Sequence, residues 1–202
     1  MTSVFKNKIF GETSFCENQQ SSFHTEFIQC EFKVLTMNPV LEFPGAKFID
    51  CRMQDVTMKN VDFCGSQFKK VIFTACEIEE CGYTMTSFEY CKMDHVDWKD
   101  CNWDTAKFLN CDWRNVSMLL NDVEECTFID NNFCDSSMHE QNVTDSIFEN
   151  CNLTGMKMHG IDFTGCTFRD IDFTNTDMQE VTFTDCEFIN VIMTEEQKQL
   201  TQ

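Results

Sequence analysis

Residues 151–175 read CNLTG MKMHG IDFTG CTFRD IDFTN, five consecutive units of five residues. CNLTG at 151–155, IDFTG at 161–165 and IDFTN at 171–175 show the unit most clearly. A small residue comes first and a polar one second. A large apolar residue takes the centre, and two mostly polar residues come after it. Outward in both directions the register continues without insertion or deletion, so that every fifth position from Phe43 to Met193 carries a large apolar side chain. Neither a helix nor an ordinary strand has a period of five. The chain is therefore built from a repeated structural unit, and any activity must lie in what decorates that scaffold.

The chain has 202 residues, with 34 Asp and Glu against 15 Lys and Arg, a formal net charge of −19. Such a charge repels nucleic acid and anionic membranes and favours a basic partner. The opening segment MTSVFKNKIF has no long apolar run, and no stretch approaches membrane-spanning length, so a cytoplasmic location is expected.

Fourteen cysteines suggest a disulfide framework until their positions are considered. Eleven stand two residues before a centre: Cys30, Cys51, Cys76, Cys81, Cys91, Cys101, Cys111, Cys126, Cys151, Cys166 and Cys186. Ala46, Val56, Val61, Ser66, Val71, Ala106, Val116 and Ile161 take the same slot elsewhere. Cysteine is thus used as a small hydrophobe in a reducing compartment. Cys16, Cys64 and Cys134 come one residue after a centre, which predicts that they face outward and are the thiols that react.

The unit resembles the pentapeptide-repeat family, whose consensus is close to A(D/N)LxX, and the resemblance covers nearly the whole chain. It implies an all-β fold, a right-handed quadrilateral β-helix with four units, or 20 residues, in each square turn. Centres and the residues two before them would point inward, with turns spaced about 4.8 Å apart. The longer period is visible in the sequence. Every fourth centre from Phe48 is phenylalanine, through Phe68, Phe88, Phe108, Phe128, Phe148 and Phe168 to Phe188. The column through Met58 reads Ile78, Trp98, Met118, Met138, Met158 and Met178. Methionine in such inward slots is core filler rather than a cofactor ligand.

Both ends depart from the pattern. Phe5, Phe10 and Phe15 form one set, Phe27, Phe32 and Met37 a second set offset by two residues, and one further residue is added before Phe43. Residues 16–22 and Asn38-Pro39 are the expected loops. After Met193, Thr194 and Gln197 form a capping box that predicts a short C-terminal helical cap. The expected organisation is one domain, 1–202, with register-shifted turns at 1–42, a continuous repeat at 43–193 and a cap at 194–202.

Residues 119–145 are the weak stretch. Asn121, Asn131 and Gln141 fill inward slots, Val123 and Val143 are undersized centres, and Leu119 and Leu120 fall where side chains face solvent. Buried amides require hydrogen-bond partners. Either a tolerated irregularity or a docking bulge fits this pattern.

No catalytic constellation is present, and the chain is not expected to be an enzyme or to carry a cofactor. His139 and His159 occupy matching outward slots one turn apart, but nothing else in the sequence completes a coordination sphere, so no metal is expected.

Sorting charges by column is more informative. Outward slots of the Phe43 column carry Glu42, Asp62, Asp104, Asp122, Glu124, Glu125, Asp145, Asp162 and Asp185 and no Lys or Arg. The Phe48 column is nearly balanced and exposes Ile49, Leu109, Ile129, Ile147 and Ile189. An acidic rod of this kind suits a basic channel made for DNA phosphates, without binding nucleic acid itself. The chain is similar to the Qnr-type and mycobacterial-type pentapeptide-repeat proteins. That resemblance implies DNA mimicry toward DNA gyrase or topoisomerase IV, protection from quinolones or gyrase poisons, and a homodimer. The unbroken register leaves no room for the long loops of the Qnr type. The alternative is an interaction scaffold that docks a protein on the isoleucine and leucine stripe or on Leu119 and Leu120.

Overall fold

A computed structural model describes residues 3–12, 24–37 and 41–201. The chain is an all-β parallel solenoid with almost no helix. Ten short strands stack in one sheet, from Val4–Lys6 and Glu26–Ile28 through Lys47–Ile49 to Glu187–Ile189. Every pairing in that sheet is parallel, and from Phe48 onward it joins residues 20 apart.

The period of five appears in the backbone as a corner. From Gly45 to Asn190 every fifth residue has positive φ, with Asn175 as the exception. Many of these corners are Asp, Asn or Gly, the residues that enter the left-handed region most readily. Between corners the centres and the residues two before them point inward. Every centre from Phe43 to Phe173 is buried, and so is every residue two before a centre from Ala46 to Val181.

Aromatic faces stack along the core. The rings of Phe27, Phe48, Phe68, Phe88, Phe108, Phe128 and Phe148 succeed one another at centroid distances of 4.7–5.0 Å. Phe5 joins the stack below Phe27, at 5.3 Å. The N-terminal sets therefore return to register: Phe5 pairs with Phe27 and Phe27 with Phe48, across 22 and then 21 residues. The two expected loops that absorb the extra residues, and Phe15 and Cys16, lie outside the described residues.

The inward cysteines do more than fill volume. Cys51, Cys91 and Cys111 donate from Sγ to the carbonyls of Phe27, Phe68 and Phe88 one turn earlier, at 3.3–3.4 Å. Ser66, Thr86 and Asn131 do the same toward Phe43, Phe63 and Phe108. Inward-facing carbonyls need donors, and this slot supplies them. Every described cysteine is free.

The weak stretch coincides with a change of corner. In the first half, a turn closed by a backbone hydrogen bond comes after the Phe43 column: Ala46 N to Phe43 O, Ser66 N to Phe63 O, Thr86 N to Tyr83 O and Ala106 N to Trp103 O. Pro44 and Gly45 suit a type II turn there. In the second half that bond belongs to the Met53 column, with Ser136 N to Phe133 O, Met156 N to Leu153 O and Thr176 N to Phe173 O. The eight-residue strands shift accordingly. They span the Met53 and Met58 columns at Arg52–Lys59, Ile72–Glu79 and Lys92–Lys99, and the Met58 and Phe43 columns at Ser137–Thr144, Lys157–Thr164 and Asp177–Thr184.

Asn121, Asn131 and Gln141 sit at this change. Asn131 Oδ1 accepts from Cys111 N at 2.9 Å, and its Nδ2 donates to Phe108 O at 2.8 Å. Asn121 bonds in the same way to Cys101 N and Trp98 O.

At the C-terminus the capping box forms, with Thr194 N donating to Gln197 Oε1 and Gln197 N to Thr194 Oγ1. The cap itself is a 3-10 turn, Gln197–Thr201, rather than an α-helix. Buried Gln197 donates from Nε2 to Phe173 O at 2.7 Å, and the last turn takes the side chain as a plug.

Candidate interaction surfaces

The outward residues before each Phe43-column centre form a ladder. Glu42 bridges to Asp62, Asp62 to Gly82, Gly82 to Asn102 and Asn102 to Asp122. Asn142, Asp162 and Thr182 continue it. Except for the pair Glu42 and Asp62, neutral residues separate the acids in this row, which limits repulsion between carboxylates one turn apart. Asp104 and Glu124 stand in the parallel row after the centres, and Glu125, Asp145 and Asp185 occupy the corners. Eight of these nine acids are exposed, and Asp104 is half-buried.

Among the described residues, no ion pair reaches any of the nine. Several acids elsewhere are matched: Glu79 with Lys59 and Lys99, Glu89 with Lys69, Asp112 with Arg114 and Glu149 with Arg169. Lys59 and Lys99 hold the Glu79 carboxyl down at about 2. Some of the nine also have internal tasks. Asp62 Oδ1 accepts from Cys64 N at 2.8 Å, closing a corner, and Asp162 Oδ1 accepts from Thr182 Oγ1 at 2.5 Å. Asp145 lies over Gly165, where no Cβ intervenes.

The apolar stripe is interrupted. Ile49, Leu109, Ile129 and Ile189 share one row and are half-buried, while Ile147 is exposed in the row on the other side of the column. Along the shared row the order is Ile49, Lys69, Glu89, Leu109, Ile129, Glu149, Arg169, Ile189. Lys69 and Glu89 pair at 3.0 Å, as do Arg169 and Glu149, so two ion pairs divide the stripe. Leu119 is half-buried between Lys99 and His139, and Leu120 is exposed at a corner with φ 56°.

Sequence reasoning missed Met85 and Tyr90, which are 65% and 54% exposed at successive corners flanking Phe88. Counting apolar residues at the second position after each centre would have found them. It also missed a groove of about 420 Å³ with mixed walls, lined by Lys92, Asp94, Asp112, Arg114 and Asn115 together with Ile72, Phe73 and Met93. The Asn115 amide and then His95 hold the Asp94 carboxyl below its usual range. The groove lies where the strand Lys92–Lys99 loses continuous pairing on one side: apart from His95 it pairs throughout with Ile72–Glu79, whereas on the other side Lys92 bridges to Asp112 and only the last three residues pair with Ser117–Leu119.

Cys64 and Cys134 are half-buried in their outward slots, and burial together with the charges of Asp62 and Asp135 pushes their thiols up. These surroundings do not activate a nucleophile. Among the described residues, no group of three or more His, Cys, Asp or Glu is placed to hold a metal ion, and no helix is long and apolar enough to cross a membrane.

A sequence model of the pentapeptide repeat region matches residues 51–128. Those residues are a pentapeptide-repeat region. A second model, of the SV2A/B/C luminal domain, matches residues 118–193. No curated protein sequence matches it. Among solved structures, a trypsin-treated single-residue variant of QnrB1, a plasmid-mediated fluoroquinolone resistance protein, is similar in fold, with a TM-score of 0.54, 12% identity and 90% of each chain covered. HetL, a pentapeptide repeat protein involved in heterocyst differentiation regulation in the cyanobacterium Nostoc, gives a TM-score of 0.47 at 11% identity, over 91% of this chain and 84% of HetL. A Bacillus pectate lyase gives 0.45 at 10% identity, over 96% and 84%.

Proposed function

We propose that this chain is a non-enzymatic acidic rod of the cytoplasm that mimics DNA. Its partner is DNA gyrase or topoisomerase IV, and its effect is protection from quinolones or gyrase poisons. In this reading the chain is one domain, a right-handed four-sided coil, and acts as a homodimer. The observation that carries it is the Phe43 column, whose nine carboxylates have no basic partner among the described residues, whereas the ion pairs that do form engage acids on other columns, such as Glu79, Glu89, Asp112 and Glu149. Unpaired charge of one sign, repeated along a rigid axis, gives the long-range field that a DNA-binding channel attracts. The fold shared with a fluoroquinolone resistance protein is consistent with this reading, at an identity of 12%.

The test is inhibition of gyrase and topoisomerase IV by the purified chain at low and high salt. Inhibition that fades as salt rises, and that falls at least tenfold when Asp122, Glu124 and Glu125 are all changed to Lys, supports the mimic. Unchanged enzyme activity at micromolar protein ends it. A second reading is a protein-interaction scaffold, favoured by Met85, Tyr90 and the Leu109–Ile129 segment on and beside the Phe48 column. Partner capture that survives high salt would select it, because screening weakens exposed charge pairs much more than apolar contact.

A further inference from the structure

Inward cysteines stand over one another on successive turns. In four pairs the residue after the later cysteine donates its backbone N–H to the carbonyl of the earlier one. These bonds are Arg52 N to Cys30 O, Asn102 N to Cys81 O, Asp112 N to Cys91 O and Glu187 N to Cys166 O, at 2.8–3.0 Å. Neighbouring strands lie about 4.7–4.9 Å apart, within the Cα separation of about 4.4–6.8 Å that a disulfide spans. Bridging brings the Cβ atoms to about 3.8 Å, so stacked cysteines need a further approach of about 1 Å.

Three of the pairs are held where they are. Cys30, Cys51, Cys81, Cys91, Cys101 and Cys111 are all buried, inside a close-packed core that resists such a shift. Cys186 is only half-buried, and its neighbours Phe183, Phe188, Val191 and Met193 are partly buried too. The strand beside it, Glu187–Ile189, is the last of its sheet and pairs on one side alone. Both thiols point the same way: Cys166 Sγ donates to Val143 O at 3.2 Å and Cys186 Sγ to Phe163 O at 3.5 Å, carbonyls one turn apart. Cys166 is also a side-chain hydrogen-bond partner of Cys186.

We propose that Cys166 and Cys186 are a redox-sensitive pair, oxidised by small-molecule disulfides of the glutathione type to a bond that clasps the last turn onto the one before it. The Cys186 thiolate attacks one sulfur of the small disulfide, so that a mixed disulfide forms and one small thiolate leaves. The Cys166 thiolate then attacks the Cys186 sulfur and expels the second. Each leaving thiolate takes up a proton that a cysteine has lost. Two protein thiols are oxidised, and one small disulfide is reduced to two thiols. Burial raises both cysteine thiols, Cys166 to about 12, which slows the exchange without setting where its equilibrium lies.

The experiment incubates the folded chain with oxidised glutathione at about pH 8.5, near the ordinary thiol value, and maps linked peptides by mass spectrometry. A peptide joining Cys166 to Cys186 is expected. Proteolysis within residues 177–201 should slow at least tenfold and recover when dithiothreitol is added. Cys166→Ser should stop at a mixed disulfide on Cys186, and Cys186→Ser should leave Cys166 reduced. Serine suits this slot, since Ser146 fills it, buried, one turn before Cys166. A lasting mixed disulfide on Cys186 of the parent chain overturns the proposal, as does a chain in which both thiols stay reduced. Equal linkage at Cys81–Cys101 or Cys91–Cys111 overturns it as well, because bridging would then come from opening of the whole core.

Discussion

Gln141 Oε1 accepts hydrogen bonds from both the backbone nitrogen and Nδ2 of Asn121, each at 3.3 Å, so that one buried amide rests on another. The arrangement is not fully satisfied, because Gln141 Nε2 is buried without a partner. Asn131, in the neighbouring ladder, has no such deficit: its oxygen serves Cys111 N and its amide group serves Phe108 O and Ile129 O. An orphaned buried group costs about 1–3 kcal/mol, whereas removing a group that is itself orphaned returns part of that cost. Asn131→Ala should therefore destabilise the chain by about 3 kcal/mol, and Gln141→Val by about 1 kcal/mol less, because it removes an orphaned amide group but leaves Asn121 N without its acceptor. Urea unfolding with unchanged slope measures the difference. Equal losses would show that the amides act only as fillers.

Two glycines with the same backbone separate steric from conformational cost. Gly65 and Gly165 have φ of 65° and 66°, but a Cβ at Gly65 meets nothing within 4 Å while one at Gly165 strikes Asp145 Oδ1. Alanine pays roughly 1–2 kcal/mol in the left-handed region. Gly65→Ala should cost about that much, and Gly165→Ala at least about 1 kcal/mol more. Adding Asp145→Ala should recover the excess in the second background and nothing in the first. Chemical denaturation of the four variants decides it.

The repeat was legible because a strict period of five cannot be a helix or a plain strand, and its columns could be counted through Phe48, Phe68 and Phe88. The change of corner was harder to see, because each unit specifies that a corner occurs but not whether its backbone hydrogen bond closes. A partial signal existed: Ala46, Ser66, Thr86 and Ala106 come after the closed corners of the first half and include no cysteine, whereas Cys126, Ser146, Cys166 and Cys186 come after the open ones of the same column later. The acidic column was also legible, but the hydrogen-bonding roles of Asp62 and Asp162 were not. Their partners, Cys64 N and Thr182 Oγ1, depend on side-chain rotamers and on contacts one turn away.

Glu79 lies between Lys59 and Lys99, with Nζ distances of 2.7 and 2.9 Å, and those hydrogen bonds lower its carboxyl to about 2. A folded-state value below the unfolded one stabilises the fold above the unfolded value and loses that contribution as pH falls through the folded one. Parent and Glu79→Gln should therefore differ in urea midpoint at pH 6, and the gap should close between about pH 5 and pH 2. Because the pair is solvent-accessible, the difference should also shrink in high salt. A gap that stays constant with pH would place the effect in packing rather than charge.

Gln197 closes the last turn through four hydrogen bonds: the reciprocal pair with Thr194, and Nε2 to Phe173 O at 2.7 Å and Thr176 O at 3.3 Å. Beneath it Met178, Phe183, Phe188 and Met193 are only partly buried, so the end of the core depends on this one side chain for much of its cover. Each repeat unit contacts its neighbours alone, and damage at an end should therefore stay local. Gln197→Ala should raise hydrogen exchange and proteolysis within residues 177–201 by tenfold or more, equivalent to about 1.4 kcal/mol or greater of local opening, while the amides of Phe88 and Phe108 keep their protection. Gln197→Glu is the more specific variant. It keeps the acceptor for Thr194 N but replaces the Nε2 donor with an oxygen facing the carbonyls of Phe173 and Thr176, so it should open the end at least as much as alanine does. If glutamate instead protected the end as well as glutamine, the bonds to Phe173 and Thr176 would not be what holds the cap.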